Sequence, residues 1–216
     1  MGITEDWWVT PKRRLRDVPK ILTLDDKINI FSERINGWKI DIANQLINGA
    51  VIQSEKGAIK IEGNPHAAYA TLDIILSYFE MIAKYYEGYT GLFESKAFFK
   101  KGVCMVFPET KDIKEKQLKS ILEELLDTLY FGARCGMYHI GLTDSRILLA
   151  GGETPPIKLQ CNRRVTINPH KLVQLVSYHF NNYIKQLKDA SNTGLRQNFE
   201  KRFDIDTSYI AKKSTS

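Results

Sequence analysis

One arginine and one histidine lie with four residues between them where a predicted helix gives way to a loop. They are Arg134 and His139 of the stretch ARCGMYHIG, residues 133–141. An imidazole can accept or donate a proton near neutral pH. A guanidinium can hold phosphate oxygens and stabilise the charge that develops on them. This pair of residue types therefore favours cleavage of a phosphodiester.

The elements around the pair decide whether the two side chains can act together. On an unbroken α-helix Arg134 and His139 would point about 140° apart, because each residue turns the helix by roughly 100°. A helix break near Gly136 would let them converge. Gly132 and Gly136 lie along one side of this helix, where a glycine either lets another backbone come close or ends the helix.

The other residues that could carry chemistry are three more histidines and three cysteines. His66 and His170 lie in the first turns of predicted helices and are expected at the surface, whereas His179 is either a core histidine or a ligand. The three cysteines, Cys104, Cys135 and Cys161, lack zinc-ligand spacing and are expected to be free thiols. Phosphate-loop, dinucleotide-binding, zinc-protease and nucleophile-elbow motifs are absent from the sequence. The sequence therefore predicts no metal and no cofactor.

Apolar residues at steps of three and four predict four long helices, over 24–48, 65–87, 112–134 and 169–188. The predicted buried stripe of the first helix is Ile28, Phe31, Ile35, Trp38, Ile42 and Leu46. That of the third is Leu118, Ile121, Leu122, Leu125 and Leu129, and that of the fourth is Leu172, Val176, Phe180, Tyr183 and Leu187. Thr23 with Asp26, and Asn168 with Pro169, have the residue types of helix N-termini. Shorter helices are expected over 95–107 and 195–203. Residues 145–168 are predicted to form two strands joined by a turn, and residues 165–167 could extend this small sheet or add to it. Residues 50–64 are predicted to form a small hairpin or a loop.

These elements predict a mainly α fold, a helical bundle with a small β-hairpin insertion near 145–168. The predicted division is a lead-in arm over 1–22, a helical domain over 23–190, and a short C-terminal helix with a frayed tail over 191–216. Strands are expected only in 145–168 and 50–62.

The lead-in arm carries a basic run and two tryptophans. Lys12, Arg13, Arg14 and Arg16 form either a solvated face or an arm that contacts RNA. Trp7 and Trp8 are expected to dock on the body or on a second subunit, because exposed tryptophans are costly.

Composition excludes several classes of protein. The chain has 216 residues, of which 43% are hydrophobic and 26% charged, with a formal net charge of +6. These fractions of hydrophobic and charged residues are typical of a globular protein, so disordered and collagen-like chains are excluded. The most apolar helical window, residues 67–86, carries Asp73, Glu80 and Lys84, so no membrane span is expected. Without a signal-peptide layout, the expected location is the cytoplasm.

The stretch over 134–141 resembles a known motif. Arg134 and His139 match the R-x(4–6)-H motif of the HEPN superfamily, and RCGMYHIG is similar to the R-x-G-(aliphatic or aromatic)-x-H-x-G form of some bacterial members. In layout the resemblance covers residues 24–190, and in motif only 134–141. The family fold is an α-helical bundle with the motif at the end of a long helix.

The resemblance implies a metal-independent endoribonuclease. In catalytic members the Arg and His of two subunits or domains face each other, and the 2′-hydroxyl of the RNA attacks the adjacent phosphate. It thus implies a homodimer with Arg134 and His139 as the catalytic residues, and Cys135 and Tyr138 in support. Such proteins serve in toxin–antitoxin, abortive-infection and other anti-phage systems, so an antitoxin or another protein is an expected partner.

Two other interpretations stay open. Active members often have Asn, Asp or His after the arginine, where this chain has Cys135, and a thiol is a poorer hydrogen-bonding group. The chain could therefore be a non-catalytic HEPN-like module for dimerisation or for binding a nucleotide or partner. Alternatively, Arg134 and His139 merely sit at a helix end, where two cations suit the helix dipole.

Overall fold

The computed structural model describes residues 6–54, 57–110 and 113–211, and in these ranges the chain is mainly helical with small sheets. This confirms the predicted mainly α class. The helices are α1 Leu24–Ile35, α2 Asp41–Asn48, α3 Ala68–Glu87, α4 Ser95–Val106, α5 Lys116–Thr128, α6 Gly136–Ile140, α7 Pro169–Lys188, α8 Thr193–Asp206 and α9 Ser208–Ala211. Turns of π-helix, Asn36–Ile40 and Leu129–Cys135, connect α1 to α2 and α5 to α6.

The chain divides into two compact units. The first contains the described residues up to 41 together with 84–93 and 179–211, and the second contains 42–83 and 94–178 as far as they are described. Residues 6–22 and 191–211, predicted as arm and tail, thus belong to the same unit as α1. The remainder of those two predicted segments, 1–5 and 212–216, lies outside the described residues.

Aromatic side chains form the core of the first unit. The ring centre of Phe31 lies 4.3 Å from that of Tyr85, 5.6 Å from Phe180 and 5.4 Å from Phe199. All four are buried. Tilted and edge-on ring contacts of this kind stabilise the core by more than the burial of apolar surface alone. The predicted stripe of α7 is also buried, in both units, at Leu172, Val176, Phe180, Tyr183 and Leu187.

The N-terminal segment is docked on α1 through a small hairpin. Strands β1 Trp8–Thr10 and β2 Arg13–Arg14 pair antiparallel, so the prediction that strands occur only in 145–168 and 50–62 is wrong. The hydroxyl of Thr10 donates to Glu33 at 2.7 Å, and the Arg13 guanidinium donates to both Glu33 oxygens. Burial raises the pKa of Glu33, but these hydrogen bonds and the Arg13 charge outweigh it and hold the pKa below its usual range.

The first long helix begins as predicted and then changes phase. The Thr23 hydroxyl accepts from the Asp26 amide at 3.2 Å, which confirms the N-terminus. In the π turn the Asp41 amide donates to the carbonyl five residues back, at Asn36, so one extra residue enters the turn. The predicted stripe is therefore wrong after Ile35, because Trp38 and Ile42 are exposed. The residues buried in this part of the helix are Ile40, Ala43 and Ile47.

The β-segment over 145–168 is a three-stranded sheet and not the predicted hairpin. Its strands are β5 Ile147–Leu149, β6 Ile157–Leu159 and β7 Val165–Ile167, in the order β5-β7-β6. β7 pairs parallel with β5 and antiparallel with β6. All of its side chains are buried, so it takes the centre, where both of its edges are hydrogen-bonded. Between β5 and β6 runs a loop with two prolines and two glycines, too long for a tight turn.

Asn168 connects this sheet to α7. Its side-chain oxygen accepts from the Lys171 amide at 3.3 Å, which confirms the predicted helix N-terminus. Its amide nitrogen donates to the carbonyls of Gly152 and Thr154, so the same buried side chain also holds the loop before β6.

Exposed apolar side chains of the second unit include those of a hairpin and of the start of α5. Residues 50–54 and 57–61 form the hairpin alternative, with β3 Ala50–Ser54 paired to β4 Gly57–Ile61 and Ile52 opposite Ile59. Both isoleucines are exposed. On α5 the predicted buried stripe is wrong at its N-terminal end, where Leu118 and Ile121 are exposed. Burial begins at Leu126, where the helix approaches its π turn.

Candidate active site

Arg134 and His139 lie on one continuous helix made of α5, the π turn and α6. Gly136 has helical angles, φ −57° and ψ −51°, and its amide donates to the Phe131 carbonyl five residues back. The helix ends only at Gly141, whose φ of +75° reverses the chain after the last turn. The break predicted near Gly136 is therefore absent, and the two side chains do not converge by that route.

The two glycines of this helix accommodate the loop that follows it. A Cβ atom at Gly136 would lie 2.6 Å from the Leu142 carbonyl oxygen, and the Asp144 amide donates to the Gly132 carbonyl at 2.9 Å. Close approach of another backbone is thus their role, which was one of the two predicted. Hydrogen bonds from Arg146 hold the pKa of Asp144 below its usual range. The loop therefore fixes the end of the helix.

The guanidinium of Arg134 is held by an acidic residue of another helix. Its Nη2 lies 3.1 Å from Oε2 of Glu80 on α3, and the Arg134 and Glu80 side chains are only 25% and 17% exposed. The same carboxylate oxygen accepts from the hydroxyl of Ser95, the first residue of α4, at 2.6 Å. An arginine has five N–H donors, so this contact leaves others for a ligand. Three helices thus orient the one cation of the motif.

Sequence reasoning missed Glu80 and Ser95. The signal that could have found Glu80 is its position on α3, where the neighbouring side chains of Phe79, Ile82 and Ala83 are buried. A carboxylate on such a face needs a partner with a hydrogen or a positive charge. Nothing in the spacing shows which cation that partner is, because Glu80 and Arg134 are 54 positions apart in the chain.

Tyr138 touches both residues of the pair. The guanidinium carbon of Arg134 lies 5.2 Å from the centre of the tyrosine ring, within range of a cation–π contact. The His139 ring centre lies 5.0 Å away, with the two planes at 86°. Tyr138 is 72% exposed, and His139 is exposed too. Within the described residues the imidazole makes no hydrogen bond, so both of its nitrogens are accessible.

The remaining predicted residues have separate surroundings. Cys135, the residue after the arginine, is half-buried with a free thiol. In the other unit, Arg13 is paired with Glu33, while Arg14 and Arg16 both pair with Asp6, at 3.2 and 2.9 Å. Lys12 is exposed. Carboxylates therefore compensate much of the charge of the basic run.

The tryptophans and the other histidines complete the predicted set. Trp7 and Trp8 are 47% and 54% exposed, and the Arg14 guanidinium lies 4.8 Å from the centre of the Trp8 ring. His66 and His170 are exposed, as predicted. His170 contacts the side chain of Asn48, and His179 lies half-buried with its ring 6.1 Å from Tyr86.

No family model, curated protein or solved structure matches this chain. In the described ranges no three side chains of the metal-binding types come together as a site for an ion. The helices of the same ranges are all too short or too polar to pass through a lipid bilayer. The case for a function is therefore made by the residues around Arg134 and His139.

Proposed function

We propose that the protein is a metal-independent endoribonuclease of the HEPN type. One observation carries the proposal: Arg134 is oriented by Glu80 and Ser95, and the exposed imidazole of His139 is joined to it through the ring of Tyr138. A merely solvated arginine at a helix end would need no such support. A fixed cation beside an accessible imidazole is what phosphodiester cleavage needs.

In this mechanism the RNA supplies its own nucleophile. His139 accepts the proton of a 2′-hydroxyl, whose oxygen attacks the adjacent phosphorus, and the bond from phosphorus to the 5′-oxygen of the next nucleotide breaks. That oxygen takes a proton from solvent water, the proton on His139 returns to solvent, and the products end in a 2′,3′-cyclic phosphate and a 5′-hydroxyl. Arg134 donates to the non-bridging oxygens, whose negative charge increases in the transition state.

The site is proposed to be shared by two copies of the chain. A two-fold axis at this helix end would bring the Arg134 and His139 of one copy to face those of the other. Exposed apolar side chains follow His139 in the chain and offer a surface for this contact: Ile140 is 76% and Leu142 56% exposed. Exposed apolar clusters of this kind mark interaction sites.

We expect the protein to be a homodimer at tens of micromolar in light scattering. Ile140→Glu should convert it to a monomer, because the substitution places two charges at the centre of an apolar contact. Leu92→Glu is the matched control, since Leu92 is equally exposed at 82% but lies in the other unit. A wild-type monomer, or a dimer that survives Ile140→Glu, would contradict the shared site.

The activity is tested with purified protein and a mixed pool of cellular RNA. We expect cleavage that is unchanged by an excess of chelator, because Arg134 and His139 supply both the charge and the proton transfer. Loss of cleavage on chelation would point to a metal-dependent reaction. Inside a cell, RNA cleavage of this kind suits a toxin or an anti-phage component held in check by an antitoxin, and a gene for such a partner beside this one would favour that role.

The runner-up is a non-catalytic HEPN-like module that dimerises or binds a nucleotide or protein. The ion pair with Glu80 favours it, because that carboxylate already compensates the charge of Arg134, and Cys135 replaces the usual polar residue after the arginine. A dimer that cuts no RNA in the pool would support this reading over the nuclease.

A further inference from the structure

We propose that the N-terminal hairpin binds the surface of an anionic lipid bilayer, with Trp7 and Trp8 inserted among the lipid headgroups. The inference goes beyond the proposed function and holds whether or not the protein cuts RNA. It rests on the exposed indoles and the excess of cations that residues 6–21 of the first unit bring together. The contact is with the bilayer surface and needs no helix that crosses it.

The hairpin presents its tryptophans from a fixed support. Val9 is buried, and its carbonyl accepts from the side chain of Arg34 on α1 at 2.6 Å. Trp8 and Arg14 are register partners across the hairpin, so their side chains share the face opposite to that of Val9. Trp8 is 54% exposed there, and Trp7 beside it is 47% exposed. Because the hairpin is already docked, binding has little further chain to order.

The exposed apolar side chains of this segment suit a lipid surface. An indole combines a large apolar ring with one N–H donor, and tryptophan is enriched where a bilayer meets water for that reason. Ile21, in the same segment, is 85% exposed. An aliphatic side chain is readily buried among lipid chains, but it offers no ring on which a nucleobase could stack.

The charge of the segment complements an anionic surface. Residues 6–21 contain five lysines and arginines against two aspartates, and Glu33 of α1 compensates one more cation, Arg13, which leaves a net charge of +2. The exposed Lys12 and the Arg16 side chain, 54% exposed, lie in the same run as the indoles. Each lysine or arginine close to an anionic bilayer strengthens binding about fivefold.

These cations would attract a nucleic acid too, but the hairpin offers it less. The guanidinium of Arg14 lies over the Trp8 ring, 4.8 Å from its centre. The carboxylate of Asp6 accepts from both Arg14 and Arg16, so both arginines have donors already engaged. Recognition of phosphates depends on such donors, whereas a lipid surface needs only net charge and apolar area. The lipid surface is therefore the favoured partner.

Cosedimentation of the full chain with vesicles tests the proposal. We expect binding to vesicles of phosphatidylcholine that contain phosphatidylserine, and binding at least about fivefold weaker to phosphatidylcholine alone. High salt should remove the difference, because it screens the attraction. The double variant Trp7→Ala, Trp8→Ala should bind the anionic vesicles about tenfold more weakly, since it loses apolar area at the interface.

Two control variants separate this surface from the rest of the chain. Phe93→Ala removes an aromatic side chain that is 80% exposed in the same unit but outside the hairpin, and it should bind as the wild type does. Arg16→Gln should weaken binding about fivefold. Arg163→Gln removes the same charge from the other unit, where the side chain is 78% exposed, and should change the affinity little. Thermal unfolding checks that each variant is folded.

Absence of binding to the anionic vesicles, or equal binding by the double tryptophan variant and the wild type, would overturn the proposal. Equal losses in Arg16→Gln and Arg163→Gln would overturn it as well, because they would show a general attraction to a basic protein. A double variant that loses affinity for a fluorescent RNA, with no vesicle binding by the wild type, would assign the hairpin to nucleic acid instead. RNA cleavage is measured separately, and its absence would overturn the proposed function and leave the lipid contact standing.

Discussion

Replacing His139 with alanine is expected to lower kcat for RNA cleavage by at least about 100-fold, and by up to about 10,000-fold. The substitution removes the only proton-transfer group that the mechanism uses. The fold should be unaffected, because His139 is exposed at the end of a helix and contributes little packing. Cleavage is measured on a defined RNA, with the temperature of thermal unfolding measured on the same samples.

His66→Ala is the matched control for this variant, since His66 is an exposed histidine of the same unit. It should retain the wild-type rate. Cleavage that persists in His139→Ala would show that the activity belongs to other residues or to a contaminant.

Replacing Arg134 with lysine should cost nearly as much as replacing it with alanine, about 100- to 1,000-fold in kcat. A lysine keeps the charge but cannot hold two phosphate oxygens with a planar fork. It also cannot keep the same contacts with Glu80 and Tyr138 at once. Single-turnover cleavage at saturating RNA measures this loss apart from substrate binding.

Glu80→Gln extends the test to the residue that orients the cation. The amide can still accept from Ser95, but the ion pair with Arg134 is lost, so we expect a smaller fall in kcat than in Arg134→Lys. Arg163→Lys is the matched control for Arg134→Lys and should retain the wild-type rate. The Arg163 side chain is 78% exposed, and its ion pair with Glu124 is long, at 3.4 Å. An Arg134→Lys variant with the wild-type rate would show that the guanidinium is not the phosphate clamp.

Helix periodicity predicted most of the fold because burial in a helix follows a period of 3.6 residues. It held for α7, where each residue of the predicted stripe is buried, and for α1 as far as Ile35. It failed after Ile35, since a π turn adds one residue and moves the apolar face onward to Ile40 and Ala43. Propensity does not show such a turn in advance, because it depends on the tertiary contacts that favour it.

The candidate site was predictable only along the chain. Arg134, Tyr138 and His139 are visible in sequence because a stretch of six residues on one helix carries them. Glu80 and Ser95 come from two other helices, and their approach to Arg134 is a property of the folded chain. The strand order β5-β7-β6 was missed for a similar reason: the most buried strand takes the centre whatever its place in the sequence.

Mass spectrometry of the RNA ends tests the central claim most directly. RNA is cut by purified protein in the presence of chelator, and the masses of both fragments are determined. Attack by the 2′-hydroxyl predicts a 2′,3′-cyclic phosphate on one fragment and a 5′-hydroxyl on the other, and no such products with His139→Ala. Fragments that carry a 5′-phosphate and a 3′-hydroxyl would show that water attacked the phosphorus, and would contradict the mechanism assigned to Arg134 and His139.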